Sequence, residues 1–450
     1  MKKSYSIDMC NGPILSKILL FALPLMGSGI LQLLFNAADV VVVGRFGSEN
    51  SLAAVGSTTS LINLLTNLFI GLSIGANVLV ARFFGAKAEK DLEATVHTAV
   101  ALSIVSGLIL TVFGMIFTKQ VLIWMQTPEE VLPLSVTYLR IYFVGMTATM
   151  VYNFCSAILR AVGDTRRPLY YLLFSGAVNF VLNLIFVIVF HLDVVGVGLA
   201  TVISQCISAF LVLRCLIKEK ESYRICLRRI RFERKIVLRI LQIGLPAGLQ
   251  GTIFSLSNVV IQSSINSFGS VVMAGNAAAG NIEGFVYVAM NAFHQAAVSF
   301  ISQNFGAGKY ERINKIAIRA IGCVFVTGLV LGSLAVVFGK PLLGIFSSNP
   351  DVVATGMIRL KVICGAYAFC GMMDVMVGIL RGLGYSVMPM IVSLLGACGL
   401  RLLWIFTVFQ IAEYHTIQVL YFSYPVSWTI TFGVHVICFL VVKRKRLAGK

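Results

Sequence analysis

Twelve long apolar segments, separated by short runs of charged residues, constrain what this chain can fold into. A helix needs about 20 apolar residues to cross the hydrocarbon core of a bilayer. Hydrophobic residues make up 58% of the 450 residues and charged residues only 12%, which is more apolar surface than a soluble core could bury. The sequence therefore predicts an all-α, multi-pass membrane protein. The predicted spans are 17–43, 52–81, 95–118, 133–159, 168–190, 194–216, 237–262, 273–301, 316–338, 355–380, 387–409 and 416–441.

The basic residues predict the orientation of the chain in the membrane. A formal net charge of +18 would suggest a nucleic-acid partner in a soluble protein. Here lysine and arginine concentrate in alternate loops, and the connection 214–239 alone holds ten of them, whereas the opposite loops hold only Arg45, Lys119 and Lys340. The positive-inside rule then places both termini and this connection in the cytoplasm. We expect a protein of the inner (plasma) membrane that does not bind nucleic acid.

The sequence shows no pattern typical of an enzyme or a metal protein. Its ten cysteines lie singly, and no CxxC pair or histidine cluster has the spacing of metal ligands. A GxxxxGK[ST] phosphate loop is also missing from the sequence. We therefore expect neither catalysis nor a bound cofactor or structural metal, and any work must draw on an ion gradient or on a partner.

The chain repeats itself at an offset of 221 or 222 residues. Because each repeat holds six spans, an even number, both insert with the same orientation. The expected organisation is a six-helix lobe at 1–213, a basic cytoplasmic linker at 214–236 and a second six-helix lobe at 237–450. The matching blocks are ILLFALPLMGSGILQLLFNAAD from Ile18 with ILQIGLPAGLQGTIFSLSNVVI from Ile240, RFFGAKAEK from Arg82 with QNFGAGKYE from Gln303, and ILRAVGDTRRP from Ile158 with ILRGLGYSVMP from Ile379.

These blocks resemble the multidrug and toxic compound extrusion (MATE) transporters over nearly the whole chain. The family-like features are Pro24 and Asp39 in the first span, the FGA loops after spans 2 and 8, and the LRxxG…P turns after spans 4 and 10. The resemblance implies two pseudo-symmetric six-helix bundles around a central cavity. It also implies a transporter that exports small amphiphilic organic cations by alternating access, against an inward flow of protons or sodium ions. We expect a monomer in the lipid bilayer, with Pro24 bending its first span.

Three carboxylates lie inside predicted spans, at Asp39, Glu283 and Asp374. A charged side chain at the bilayer centre costs about 2.5–3.5 kcal/mol on insertion scales, so each acid is a hypothesis for a functional site. Burial disfavours the charged form of a carboxyl group, and an acid in the membrane can therefore take up and release a proton. The alternative for Asp39 is a cap at the outer end of its helix or an ion pair with Arg45.

The resemblance assigns an ion-coupling site to the first lobe. The matching residues are Asp39 on span 1, Asn179 and Asn183 one turn apart on span 5, and Thr201 on span 6. Many relatives have aspartate where this chain has Asn183, so one carboxylate remains where two could share an ion. The neutral oxygens could ligate a transient sodium ion at Asp39. The coupling ion, H⁺ or Na⁺, stays open.

In the second lobe, Glu283 and Asp374 are the candidate substrate-binding acids. Glu283 lies near mid-membrane with Tyr287 on the next turn, a pair suited to a lipophilic cation by charge and by cation–π contact. Asp374 lies in the inner half of span 10. The alternative for each is a protonated structural acid that is hydrogen-bonded to another helix.

A lipid-linked oligosaccharide flippase of the same superfamily is the alternative function. It would need a cationic cavity that suits phosphate, whereas the charges inside the predicted spans are taken as mainly acidic. This premise, together with the resemblance, favours the exporter.

Overall fold

A computed structural model describes residues 5–46 and 48–446. Within this part of the chain all regular secondary structure is helical. The α-helices are α1 Ile14–Phe46, α2 Glu49–Gly85, α3 Glu89–Trp124, α4 Leu132–Val144, α5 Met146–Ala161, α6 Arg166–Leu184, α7 Asp193–Ile217, α8 Arg234–Asn266, α9 Ser270–Gly306, α10 Tyr310–Val337, α11 Gly339–Gly344, α12 Pro350–Ile363, α13 Tyr367–Gly382, α14 Val387–Ser393, α15 Leu400–Phe406 and α16 Ile417–Arg446. Two π-helical segments, Ile185–Val189 and Leu394–Gly399, follow α6 and α14, and short 3₁₀ turns occupy Leu227–Arg229, Cys364–Ala366, Val408–Gln410 and Ala412–Tyr414.

Eleven helical stretches of the described chain are long and apolar enough to cross a membrane, and α4 with α5 forms a twelfth that is bent by 44°. The prediction of an all-α protein with twelve spans is thus confirmed. The predicted span 133–159 corresponds to this bent pair, in which the helix breaks at Gly145. A side chain there would come within 2.5 Å of Gln205 Oε1 on α7, and Thr111 Oγ1 on α3 donates to the Phe143 carbonyl beside the break at 2.8 Å.

The described chain divides into two compact units. Unit 1 comprises residues 5–8 and Gly27–Gly248, and unit 2 comprises Met9–Met26 and residues 249–446. The division passes through α1 and α8 shortly after their internal prolines, Pro24 and Pro246. The repeat boundaries expected from the sequence, at 213 and 237, stay a prediction.

In unit 1, close packing of α2 on the first half of α8 depends on glycine. A Cβ on Gly71 would lie 2.2 Å from the backbone nitrogen of Gly248, and one on Gly75 would lie 2.3 Å from the carbonyl oxygen of Ile240. Small residues at a spacing of four let two membrane helices approach until their backbones touch. The first half of α8 therefore packs with the helices of unit 1.

In unit 2, α9 and α13 form the buried centre. A Cβ on Gly378 of α13 would lie 2.8 Å from the carbonyl oxygen of His294 on α9, and one on Gly382 would meet Ile301 at the same distance. Both His294 and Ile301 are buried. This contact holds the polar residues of α9 and α13 against each other in the interior of the unit.

Candidate functional site

In unit 1, a polar cluster joins α1 to α6. Asn183 Nδ2 donates hydrogen bonds to Asp39 Oδ1 at 2.5 Å and to Asn179 Oδ1 at 3.2 Å. The two asparagines are buried. The structure therefore brings together three of the four residues that the sequence assigned to ion coupling.

Local helix geometry explains why these side chains meet. Asn179 and Asn183 are one turn apart and share a face of α6. A Cβ on Gly176, one turn before Asn179, would lie 1.8 Å from Phe35 Cε2, so glycine is required for α1 to approach α6 this closely. The π-helical segment Ile185–Val189 begins two residues after Asn183, and such segments are frequent at functional sites.

One side-chain oxygen of the cluster could accept a hydrogen bond that the other residues of the cluster do not donate. Asn183 Oδ1 is buried and accepts no hydrogen bond from any residue in the described chain. Leaving a buried acceptor without a partner costs about 1–3 kcal/mol. An amide oxygen of this kind can accept a hydrogen bond or ligate a small cation that prefers oxygen ligands.

Thr201, the fourth predicted residue, is not hydrogen-bonded to this cluster. Its hydroxyl donates to the Val197 carbonyl at 2.9 Å in its own helix. No ion pair between Asp39 and Arg45 occurs in the described chain, so the ion-pair alternative for Asp39 has no support. The cap alternative is not tested by these contacts.

Two tyrosines of α4 are neighbours of Asp39 that sequence reasoning missed. Tyr138 and Tyr142 both lie within electrostatic range of the Asp39 carboxyl, and Tyr138 is buried. Their spacing of four residues in YLRIYF, which puts both rings on one helical face, was the available signal.

In unit 2, Glu283 forms a buried ion pair that the sequence analysis did not anticipate. Arg359 Nε lies 2.6 Å from Glu283 Oε1, and Arg359 Nη2 lies 2.7 Å from Glu283 Oε2. This two-point geometry is the strongest form of an arginine–carboxylate contact. The side chains are only 8% and 12% exposed, for Glu283 and Arg359 respectively. The Glu283 carboxylate is thus neutralised by the protein in this conformation.

Arg359 is also the centre of a larger polar network. Its Nη1 donates to Asn276 Oδ1, which accepts a second hydrogen bond from the Tyr421 hydroxyl at 3.1 Å. Asn276 Nδ2 in turn donates to Gln262 Oε1 on α8 at 2.9 Å. The guanidinium lies 5.5 Å and 6.0 Å from the ring centres of Tyr421 and Tyr424.

Arg401 is a buried cation of unit 2. Its guanidinium carbon lies 4.1 Å from the ring centre of Tyr424 and 5.5 Å from that of Trp428, and its Nε donates to Ser427 Oγ at 2.9 Å. Aromatic faces can stabilise a desolvated cation by 2 kcal/mol or more. The premise that the charges inside spans are mainly acidic is therefore wrong for unit 2, since its span-forming helices also hold Arg401, which is buried, and Arg359, whose side chain is 12% exposed.

Asp374 lies in a separate polar group with residues of α9. Asn291 Nδ2 donates to Asp374 Oδ2 at 3.3 Å, and His294 Nδ1 lies 3.4 Å from Asp374 Oδ1 and 2.7 Å from the Asp374 carbonyl oxygen. The Asp374 side chain is 19% exposed. Tyr287, which is 41% exposed, lies within electrostatic range of Asp374. Asp374 is thus more accessible than Glu283, the other candidate acid of unit 2.

The described residues contain no group of three or more histidine, cysteine, aspartate or glutamate side chains that could hold a metal ion.

Comparison with known proteins identifies the family. The sequence model of the MatE family matches residues 24–185 and again residues 246–407. The chain is 30% identical over 394 residues to the probable multidrug resistance protein YpnP of Bacillus subtilis (strain 168), covering 88% of each chain. It is 27% identical over 422 residues to the probable multidrug resistance protein YoeA of the same organism, covering 92% of this chain and 90% of YoeA.

A solved structure described as the outward-facing conformation of a multidrug resistance MATE family transporter of the MOP superfamily has the same fold. Its TM-score is 0.90 at 20% identity, covering 100% of this chain and 99% of that one. A MOP superfamily transporter from Pyrococcus furiosus gives a TM-score of 0.91 at 20% identity, with 99% and 100% covered. Since the MatE model matches most of the chain in two copies, and YpnP is 30% identical over 88% of it, this protein belongs to the MatE family of MATE transporters.

Proposed function

We propose that this protein is a secondary active multidrug efflux transporter that exchanges small amphiphilic cations for an inward-moving proton or sodium ion. The observation that carries the proposal is the Asp39–Asn183–Asn179 cluster, a carboxylate in a membrane-spanning helix whose hydrogen-bond partner is a neutral amide. The names of YpnP and YoeA, both multidrug resistance proteins, support export rather than lipid-linked oligosaccharide flipping or catalysis.

Asp39 is the ion carrier in this proposal. Asp39 supplies the one carboxylate of the cluster. The asparagine side chains can donate a hydrogen bond to the ionised carboxylate, or accept one from the protonated acid after an amide rotation. The same oxygens can ligate sodium. Thr201 joins the site only in a conformation where its hydroxyl leaves the Val197 carbonyl.

The proposed substrate contacts in unit 2 are Asp374 and Tyr287. The exposure of Tyr287 and the partial exposure of Asp374 support this assignment. Glu283 can attract a cationic substrate only when it separates from Arg359, because the pair has no net charge.

The protein is further proposed to be a monomer in the inner (plasma) membrane, with both termini in the cytoplasm. The excess of lysine and arginine in alternate loops supports this orientation.

Transport into everted membrane vesicles tests the function. Substrate dyes should accumulate when a pH or sodium gradient of the correct direction is imposed, and accumulation should stop when an ionophore removes that gradient. Dye uptake that is the same with and without an imposed pH or sodium gradient would contradict ion coupling.

A further inference from the structure

The linker between α7 and α8 docks onto the first turns of α3 within unit 1. The backbone nitrogen of Cys226 donates to His97 Nε2 at 3.0 Å, and Thr98 Oγ1 donates to the Arg231 carbonyl at 3.3 Å. Arg229 Nη1 lies 2.5 Å from Glu93 Oε1. Ile225 is buried. The linker is therefore a packed segment with a defined position on α3.

A basic pocket lies between the docked linker and α3. We call it the linker pocket; its volume is about 460 Å³, and its lining residues are Lys90, Glu93, Ala94, His97, Arg228, Arg229, Ile230 and Arg231.

The linker pocket has an excess of positive charge. Glu93 is paired with Arg229, and Arg231 is paired with Glu233 at 2.7 Å. No hydrogen bond or ion pair joins the side chain of Lys90 or Arg228 to another residue of the described chain. Two cations of the linker pocket are thus left without an acidic partner in the protein.

Exposed apolar residues lie on both sides of the arginines in the sequence. Leu227 is 62% exposed and Phe232 is 53% exposed. α3 has 36 residues, which at 1.5 Å per residue is longer than the roughly 40–45 Å of a bilayer with its headgroups. The helix is long enough for its first turns to lie at the headgroup level. A ligand that contacts both the basic residues of the linker pocket and these two apolar side chains would carry an anionic head group and apolar chains.

We propose that the linker pocket binds the phosphate of an anionic phospholipid, with Lys90 and Arg228 as the main contacts and Leu227 and Phe232 against the acyl chains. Lysine supplies a point charge, and the planar arginine fork matches phosphate geometry. A free phosphate-bearing solute would satisfy the cations but not the two apolar side chains. The site does not depend on which ion or substrate the transporter moves.

Native mass spectrometry of the full-length protein in detergent micelles tests the proposal. The probes are dioctanoyl phosphatidylglycerol and dioctanoyl phosphatidylcholine, which have the same chains and differ in net charge. Each basic residue near an anionic lipid surface contributes about fivefold in affinity. The Lys90→Gln/Arg228→Gln variant should therefore bind phosphatidylglycerol about 25-fold more weakly, with binding of phosphatidylcholine unchanged.

Arg444→Gln/Lys445→Gln is the matched control, because it removes the same charge from exposed positions of α16. It should bind phosphatidylglycerol within about twofold of the parent, because the fivefold contribution of each charge applies only to residues that contact the lipid head and these two do not line the linker pocket. An equal loss in this control, or no loss in Lys90→Gln/Arg228→Gln, would overturn the proposal. Thermal unfolding in lipid-free micelles shows whether each variant is folded. If the double variant is not folded, the single Arg228→Gln variant replaces it, and its affinity for phosphatidylglycerol should fall about fivefold.

Glycerol 1-phosphate separates a lipid site from a solute site. It should compete only at concentrations far above that of phosphatidylglycerol, and Leu227→Ser/Phe232→Ser should weaken the binding of the lipid but not of glycerol 1-phosphate. Competition at equal concentrations would make the linker pocket a site for soluble phosphates and overturn the lipid assignment.

Discussion

Asn183 donates a hydrogen bond to Asp39 at 2.5 Å, and this contact connects α6 to α1 within unit 1. The amide cannot ionise, so the pair carries a single negative charge that one proton or one sodium ion can neutralise. Because Asn183 also donates to Asn179, its side-chain nitrogen has two acceptors, whereas its buried side-chain oxygen accepts no hydrogen bond from the described residues.

A second carboxylate at position 183 should change the coupling. In Asn183→Asp, two like charges would lie within hydrogen-bond distance, and one of them must take up a proton or share a cation. We expect a steeper pH dependence of efflux or a new sodium requirement, measured as dye efflux across a matrix of pH and sodium concentrations. Asn281→Asp, an exposed position of α9, is the control for the added charge. If dye efflux by Asn183→Asp depends on pH and sodium as it does in the parent, α6 is not part of the ion site.

The Glu283–Arg359 pair should be a stability element in this conformation. Removing one partner of a buried pair leaves an uncompensated charge and costs about 3–5 kcal/mol. Glu283→Gln and Arg359→Gln should each lower the thermal unfolding temperature of the purified protein, and the double variant should recover part of the loss. If Glu283→Gln unfolds like the parent but selectively loses binding of cationic dyes, Glu283 belongs to the substrate site instead.

Asp374 should contribute to the affinity for charged substrates. Asp374→Asn should weaken binding of monovalent cationic dyes by about 1–2 kcal/mol, the scale of one partly solvated charge contact. Neutral substrates of similar size should be unaffected, as titrated by fluorescence with the purified protein. Asp351→Asn, at the exposed start of α12, is the control. Equal losses for charged and neutral dyes would point to a structural role for Asp374.

The orientation predicts which sites are accessible from outside intact cells. In a cysteine-free background, single cysteines placed at 218–233 should be shielded from impermeant thiol reagents. Cysteines at Ser48 and Ser270, which lie at the start of α2 and α9, should react. Labelling of the cysteines at 218–233, with protection of those at Ser48 and Ser270, would contradict the proposed topology.

Much of the fold and part of the site could be predicted from the sequence. Apolar length locates the spans, and the family resemblance with helical spacing brings Asp39, Asn179 and Asn183 together. Arg359 was missed because hydropathy averages over a window and tolerates one charge, while the partner that stabilises it lies 76 residues away on α9.

Other features depend on contacts that no local pattern contains. Gly145, where the helix breaks, lies against Gln205 of α7, and the linker contacts His97, which lies 129 residues before Cys226. The π-helical segment after Asn183 has no recognised sequence signal. Long-range packing decides these features, whereas composition decides only that the chain is a bundle of membrane helices.

Asp39→Asn tests the central claim most directly. The substitution removes a membrane charge that costs about 2.5–3.5 kcal/mol to insert, so expression and thermal stability should be at or above those of the parent, while the ion that drives transport can no longer bind. Gradient-driven dye uptake into everted vesicles, at matched protein levels and beside the Asp351→Asn control, should fall to the level of vesicles without the transporter. Uptake by Asp39→Asn equal to that of the parent would contradict the account and leave Asp39 as a structural residue.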